Sequence, residues 1–162
     1  MLLSKLTYSS GDINDPYQAM QAIDAYREEW TKFDLYKVHG MEYAPSWEAF
    51  KEWKRLGCLV TVGGFDKNNE LKAFYVGTKG EHPYNPEWVS CNNCMLYLAP
   101  EYRRTPWVFK AFLKAIEAEM KRENVDIYSL VVPADERFHR AHKSIEKNGF
   151  NREDLMFYKK VK

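Results

Sequence analysis

The sequence predicts an α/β domain built on a mixed sheet, and three observations predict it. Stretches rich in β-branched and aromatic residues at 59–65, 71–77 and 89–99 read as strands. Apolar stripes at helical spacing, above all Phe109, Phe112, Leu113, Ile116 and Met120, read as helices. The order strand, helix, strand over 89–132 makes a βαβ unit, whose two strands should be parallel with a right-handed crossover.

Each element has a local reason. Asp15-Pro16 reads as an N-cap followed by proline at the first helical position, and Tyr17, Met20, Ile23, Tyr26 and Trp30 follow at near-helical spacing. An irregular stretch runs from Phe33 to Pro45. Ser46 then caps a second helix carrying Trp47, Phe50 and Trp53, and Gly57 ends it. Asp66-Lys67-Asn68-Asn69-Glu70 has turn composition, so 59–65 and 71–77 form a hairpin. His82-Pro83-Tyr84-Asn85-Pro86 breaks the chain into a loop, because each proline lacks a backbone donor and restricts the residue before it. The third strand is expected over 89–99. Thr105-Pro106 repeats the cap-plus-proline start, and the helix it opens ends near Asn124. A short buried-type strand follows at 127–132. Asp135 caps a last helix with Phe138, Ala141, His142 and Ile145 on one side, stopped by Asn148-Gly149, and 155–161 supplies a closing strand.

The totals restrict function. A chain of 162 residues fits one domain, here taken as 1–162. Twenty-four Lys plus Arg against 23 Asp plus Glu give a charge of +1, so no global field favours nucleic acid or an anionic membrane. Any anion site must be local. The aromatic share of 15% exceeds what a core of this size needs and points to a contact surface for a protein partner. The start, Met1-Leu2-Leu3-Ser4-Lys5, lacks the apolar run of about 7 to 15 residues that a signal peptide needs, which implies a cytoplasmic protein. Cys58, Cys91 and Cys94 are an odd set and no disulfide framework. Cys91-Asn92-Asn93-Cys94 has no second ligand pair for zinc, and residues three apart on a strand face opposite ways, so no metal site is expected.

Two strings carry a resemblance. Leu96-Tyr97-Leu98-Ala99-Pro100-Glu101-Tyr102-Arg103 looks like the end of the fourth strand and start of the pyrophosphate loop in the GNAT superfamily of N-acetyltransferases. About 45 residues on, 139–150, ending in Asn148-Gly149-Phe150, resembles the family's motif B. The element order is also the family's. The resemblance implies a mostly antiparallel central sheet with one parallel, splayed strand pair and about four flanking helices. It implies acyl-CoA, here acetyl-CoA, as cofactor and an amine, small molecule or protein, as acceptor. On this reading the pantetheine arm pairs with Leu96, Leu98 and Ala99, where the strands ending near Ala99 and starting near Ile127 diverge beyond Leu98. The pyrophosphate lies by Arg103, Arg104, Thr105, Trp107 and Val108, at a helix N-terminus whose amides and dipole favour anions.

The chain departs from the family pattern in both strings. Pro106 and Val108 stand where the loop usually has small residues, removing an N–H and adding a branched side chain. Ile145 stands where the family often has a tyrosine that protonates the leaving thiolate. Tyr97 and Tyr128, on the two flanking strands, are the candidate replacements, with His142 and Glu87 as further acid–base candidates. The resemblance therefore implies an acyl-CoA-dependent N-acyltransferase. The alternative is a non-catalytic GNAT-like protein that binds a partner through the aromatic loop 81–88. The altered motifs also resemble GNAT-like proteins of bacteriophages, which would place the chain in a host cytoplasm or a virion.

Overall fold

The structure, a computed structural model, describes residues 5–10, 16–132 and 139–152. The expected caps Asp15 and Asp135, Phe138 and the closing strand at 155–161 lie outside the described residues, as do the side chains of Tyr17, Met20 and Ile23. Among the described residues five strands form one sheet in chain order: β1 (Thr7–Ser9), β2 (Leu59–Phe65), β3 (Leu71–His82), β4 (Asn85–Leu98) and β5 (Ile127–Tyr128). The pairings β1–β2, β2–β3 and β3–β4 are antiparallel, and β4–β5 is parallel. This is the mixed α/β sheet expected, with its βαβ unit.

Helices α1 (Pro16–Trp30), α2 (Asp34–Lys37) and α3 (Trp47–Arg55) precede β2, α4 (Pro106–Arg122) joins β4 to β5, and α5 (His139–Lys147) follows. The sheet has a core on each face. Val60, Val62, Ala73 and Tyr75 meet α4 through Val108, Phe112, Leu113, Ile116 and Met120. Leu59, Phe74, Val76 and Met95 meet Tyr26 of α1 and Phe50 of α3 on the other face. This alternation is the period of two that a sheet covered on both sides requires.

Local chemistry sets the ends. Ser46 Oγ accepts from Ala49 N at 3.3 Å, capping α3. Gly57, at φ +72, lets Cys58 N reach Trp53 O and Gly57 N reach Lys54 O, which closes the helix C-terminus. Asp66 Oδ1 holds the β2–β3 turn by accepting from the amides of Asn68 and Glu70.

Four expectations change. The buried-type strand expected at 127–132 is only Ile127–Tyr128, with Ile127 and Val131 exposed, because β5 stands at the edge of the described sheet. Strand β1 was not foreseen; Leu6 beside it is buried, and Tyr8 stacks on Phe112 at 5.8 Å. The irregular stretch after Phe33 contains the short α2. The loop expected around the two prolines is instead the tip of a long β3–β4 hairpin, with His82 opposite Asn85. Glu81 pairs with Val89, so residues 86–88 have no partner on β3. This bulge absorbs the missing donor of Pro86 without ending the strand. No helix among the described residues is long and apolar enough to cross a membrane.

Candidate functional site at the opening between β4 and β5

The parallel pairing begins beside the Asp126 carboxylate. Asp126 N donates to Val89 O at 2.9 Å, Val89 N donates to Asp126 Oδ2 at 2.7 Å, and Ser129 N donates to Cys91 O at 3.0 Å. Ladder partners are only Ser90 with Ile127 and Cys91 with Tyr128. The strands therefore part after Cys91, several residues earlier than the divergence beyond Leu98 that the sequence suggested. The cause is local: Val76 pairs with Met95 and Gly77 with Asn93, so Cys94 is an extra residue bulged out of β4.

Beyond the bulge the ladder fixes which backbone groups face the opening. Ala99 N donates to Lys72 O at 2.7 Å, toward β3, so by alternation the N–H and C=O groups of Leu96 and Leu98 point toward the β5 side. Ala99 O accepts from Tyr102 N, so both backbone groups of Ala99 are engaged away from the opening. Of the three residues expected to meet a pantetheine arm, Leu96 is turned with both backbone groups toward the opening, Leu98 offers its N–H but not its C=O, which accepts from Arg103 Nε, and Ala99 is not turned that way.

At the same end of β4, a 3₁₀ turn (Pro100–Tyr102) leads into α4. Thr105 is the N-cap by backbone geometry but makes no side-chain cap. Pro106 has no N–H, and Val108 N turns back to Thr105 O at 3.0 Å, so Trp107 supplies the outward amide of the first turn. Val108 cannot serve as an anion donor as expected, because its amide is spent and its side chain is packed under the helix. No acidic residue occupies the first turn of α4, Arg104 is exposed beside it and Trp107 is half-exposed. Of the residues expected to meet a pyrophosphate, Arg104 and the Trp107 amide therefore remain at the helix start with no acidic residue beside them in that turn.

Arg103 does something else. Its Nε donates to Leu98 O at 2.6 Å, its Nη2 donates to Glu29 Oε1, and its guanidinium lies 5.7 Å from the centre of the Tyr97 ring. Glu29, only 12% exposed, also pairs with Lys32 at 2.6 Å. Arg103 thus clasps the end of β4 to α1 rather than standing at the helix start.

The four acid–base candidates are not one group. Tyr97 pairs with Phe74 and stacks on it at 5.3 Å, on the α1 face. Tyr128 pairs with Cys91, which is buried on the α4 face, and packs edge-on against Phe150 at 5.2 Å. The two tyrosines face opposite sides of the sheet. Burial pushes the Tyr128 hydroxyl up to about 12, with Glu117 adding to it. Burial also raises Tyr97 above its ordinary 10, although Arg103 opposes this. Glu87 is exposed at the hairpin tip, about 30 Å along β4 from Leu98. It is not part of this site. His142 and Ile145 are half-buried on α5.

Cys91 is buried with its Sγ 3.6 Å from the Tyr75 hydroxyl, whereas the Cys94 Sγ lies 3.9 Å from Thr78 Oγ1. Burial raises both thiols above their ordinary range. Among the described residues no three metal-ligating side chains gather. Sequence reasoning missed Asn93, Ser129 and Glu29. Two successive asparagines inside a strand, which disfavours asparagine, were the available signal for the first.

No protein-family model and no curated sequence matches the chain. Solved structures do match in fold. An aminoglycoside acetyltransferase from an uncultured soil metagenomic sample superposes with TM-score 0.74 at 12% identity, over 98% of this chain and 99% of that one. Glucosamine-6-phosphate N-acetyltransferase from Arabidopsis thaliana gives 0.68 at 10%, covering 98% and 100%. A predicted acetyltransferase with acetyl-CoA from Clostridium acetobutylicum gives 0.68 at 16%, covering 96% of each chain. The chain has the fold of these acetyltransferases.

Proposed function

We propose that this protein, acting as a single domain, transfers an acyl group from acyl-CoA, with acetyl-CoA as the donor to test first, to an amine. The carrying observation is the opening between two parallel strands, lined by the Leu96 backbone groups and the Leu98 N–H, with the N-terminus of α4 at the same end. Such an opening suits an extended arm carrying amides, and the helix start with Arg104 and the Trp107 amide suits a pyrophosphate. The residues present fit acyl-CoA in this sense, with Thr105 shaping the helix start and Arg103 tying the end of β4 to α1. When bound, acyl-CoA supplies an activated thioester. The chain's own contribution is to hold and orient it beside the amine, which accounts for much of the rate when two reactants are brought together.

Fold likeness supports the reading, since the neighbours are acetyltransferases and one holds acetyl-CoA. Aminoglycosides and amino-sugar phosphates, the chemistry of two neighbours, are the acceptors to try first. The test pairs thermal unfolding with thiol release over a panel of amines. Acetyl-CoA at 100 times its dissociation constant should stabilise by about 2.7 kcal/mol. Absence of both stabilisation and turnover overturns the reading.

A second reading is favoured by one observation. Tyr84 is 93% exposed and Trp88 48% exposed at the β3–β4 tip, remote from the opening. A non-catalytic protein would use that tip to bind a partner, as expected if the chain is akin to bacteriophage-encoded GNAT-like proteins. Failure of the acetyl-CoA test would turn attention there.

A further inference from the structure

Asparagine is a poor strand residue, yet Asn93 sits inside β4 and makes four hydrogen bonds there. Its Nδ2 donates to Val76 O at 3.2 Å and to Met95 O at 2.9 Å. Its Oδ1 accepts from Val131 N at 3.1 Å, and its own N donates to Ser129 Oγ at 3.2 Å. The last two explain how the sheet opens. After Ser129 N donates to Cys91 O, a regular parallel ladder would next bond Asn93 N to Ser129 O, then Val131 N to Asn93 O. In this chain both bonds are made at the expected donors but to side-chain acceptors, Ser129 Oγ and Asn93 Oδ1. Each replacement puts extra atoms between the strands and leaves a backbone carbonyl, of Ser129 and of Asn93, out of the regular ladder.

We propose that Asn93 and Ser129 are a positioning pair, a side-chain spacer that sets the width of the β4–β5 opening in which the acyl-CoA arm lies. The inference rests on the acyltransferase reading for its ligand, and on the hydrogen bonds for the spacer itself. The Nδ2 bonds to Val76 O and Met95 O span the bulge at Cys94, so the same side chain that holds β5 away also fixes the rotation of β4. That rotation turns the Leu96 backbone groups and the Leu98 N–H toward the opening. An aspartate at position 93 keeps the acceptor for Val131 but faces two carbonyls with a carboxylate. Asn93→Asp should therefore fail almost as fully as Asn93→Ala.

The experiment uses the whole chain and has two arms. In ligand-free protein, amide exchange followed by NMR should speed up at least tenfold at Val131 in Asn93→Ala. It should speed up likewise at Asn93 in Ser129→Ala but not in Ser129→Thr, which keeps the hydroxyl. In the second arm, calorimetric titration with acetyl-CoA should show a dissociation constant raised at least fivefold by Asn93→Ala and Ser129→Ala and restored by Ser129→Thr. Affinity for adenosine 3′,5′-bisphosphate, a nucleotide fragment without the arm, should stay unchanged. Equal weakening of both ligands means general structural damage and overturns the positioning role. Unchanged exchange at Val131, or acetyl-CoA affinity within twofold of wild type, also overturns it. If wild type binds no acetyl-CoA, the acyltransferase reading is what fails, and the exchange arm still decides whether Asn93 spaces the strands. Should Asn93→Ala not fold, the Ser129 variants carry the same comparison.

Discussion

Replacing Arg103 and Arg104 one at a time separates a clasp from an anion site. Arg103 makes a charge-assisted bond to Leu98 O and an ion pair with Glu29, whose side chain is 12% exposed while that of Arg103 is 33% exposed. Hydrogen bonds to charged groups contribute about 1.5–3 kcal/mol each, and partial exposure reduces the ion pair's share. Glu29 keeps Lys32 as a partner, so it is not left with a stranded charge. Arg103→Ala should therefore cost about 2 kcal/mol, which lowers Tm by about 4–8 °C for a chain of this size. Arg104 is exposed, and Arg104→Ala should change stability by less than about 0.5 kcal/mol. Its effect should fall on acetyl-CoA, with affinity reduced about fivefold, or about 1 kcal/mol. Urea unfolding and calorimetric titration of both variants, with Glu29→Gln completing a double-mutant cycle, read all of these quantities. A coupling of at least about 1 kcal/mol between Arg103 and Glu29 is expected. If Arg103→Ala is as stable as wild type yet loses affinity as Arg104→Ala does, the clasp is not what holds Arg103.

Glu123 accepts from Lys79 Nζ at 2.6 Å, with both side chains 21% exposed, and this bond holds its carboxyl below the ordinary carboxylate range although burial opposes it. A carboxyl depressed in the folded state stabilises above its unfolded pKa of about 4.5, and the contribution is lost as pH falls through the lower folded value. Glu123→Gln should thus cost about 1 kcal/mol at pH 7, with the gap to wild type closing below about pH 4 in urea unfolding series. A gap independent of pH would show that the pair acts by packing. Glu87→Gln, remote from the opening, should leave thiol release within twofold of wild type; a tenfold loss would return the hairpin tip to the site.

The sequence made much of this fold legible because its strongest signals were periodic or stereochemical. The α4 stripe, Ser46 and Gly57 at the ends of α3, and the Asp66 turn all appear where pattern and capping chemistry put them. Strand β1 was hidden because three residues are too few to show alternation, and its place depends on Gly64 of β2. A Cβ on Gly64 would come within 2.8 Å of the Tyr8 ring, a requirement visible only once the strands are paired. At the site, Leu96, Leu98, Arg104 and Trp107 were named from linear motifs and stand near the end of β4. Arg103 was misplaced because its partner Glu29 is 74 residues away, and nothing local distinguishes that carboxylate from its neighbour Glu28. The spacer escaped for a similar reason, since Ser129 gains its meaning only opposite Asn93.

The placement of the tyrosines bears on what chemistry this site needs from its side chains. Tyr97 and Tyr128 stand on opposite faces, so they cannot act as alternatives in one position. Nor are their acidities suited to the task. A thiol leaving group has a pKa of about 8.5, whereas burial pushes Tyr128 up to about 12. Passing that proton to the thiolate runs uphill, so Tyr128 offers the leaving group little assistance. Burial raises Tyr97 in the same direction, with Arg103 opposing it. The absence of a tyrosine at Ile145 then has a modest chemical consequence, because a thiolate departs with little proton assistance. Rate enhancement in such a site must come mainly from holding the thioester and the amine in register. On the acyltransferase reading that places the demand on the opening itself: on Asn93 and Ser129, which space the strands, and on the Leu96 backbone groups and the Leu98 N–H that the spacing exposes.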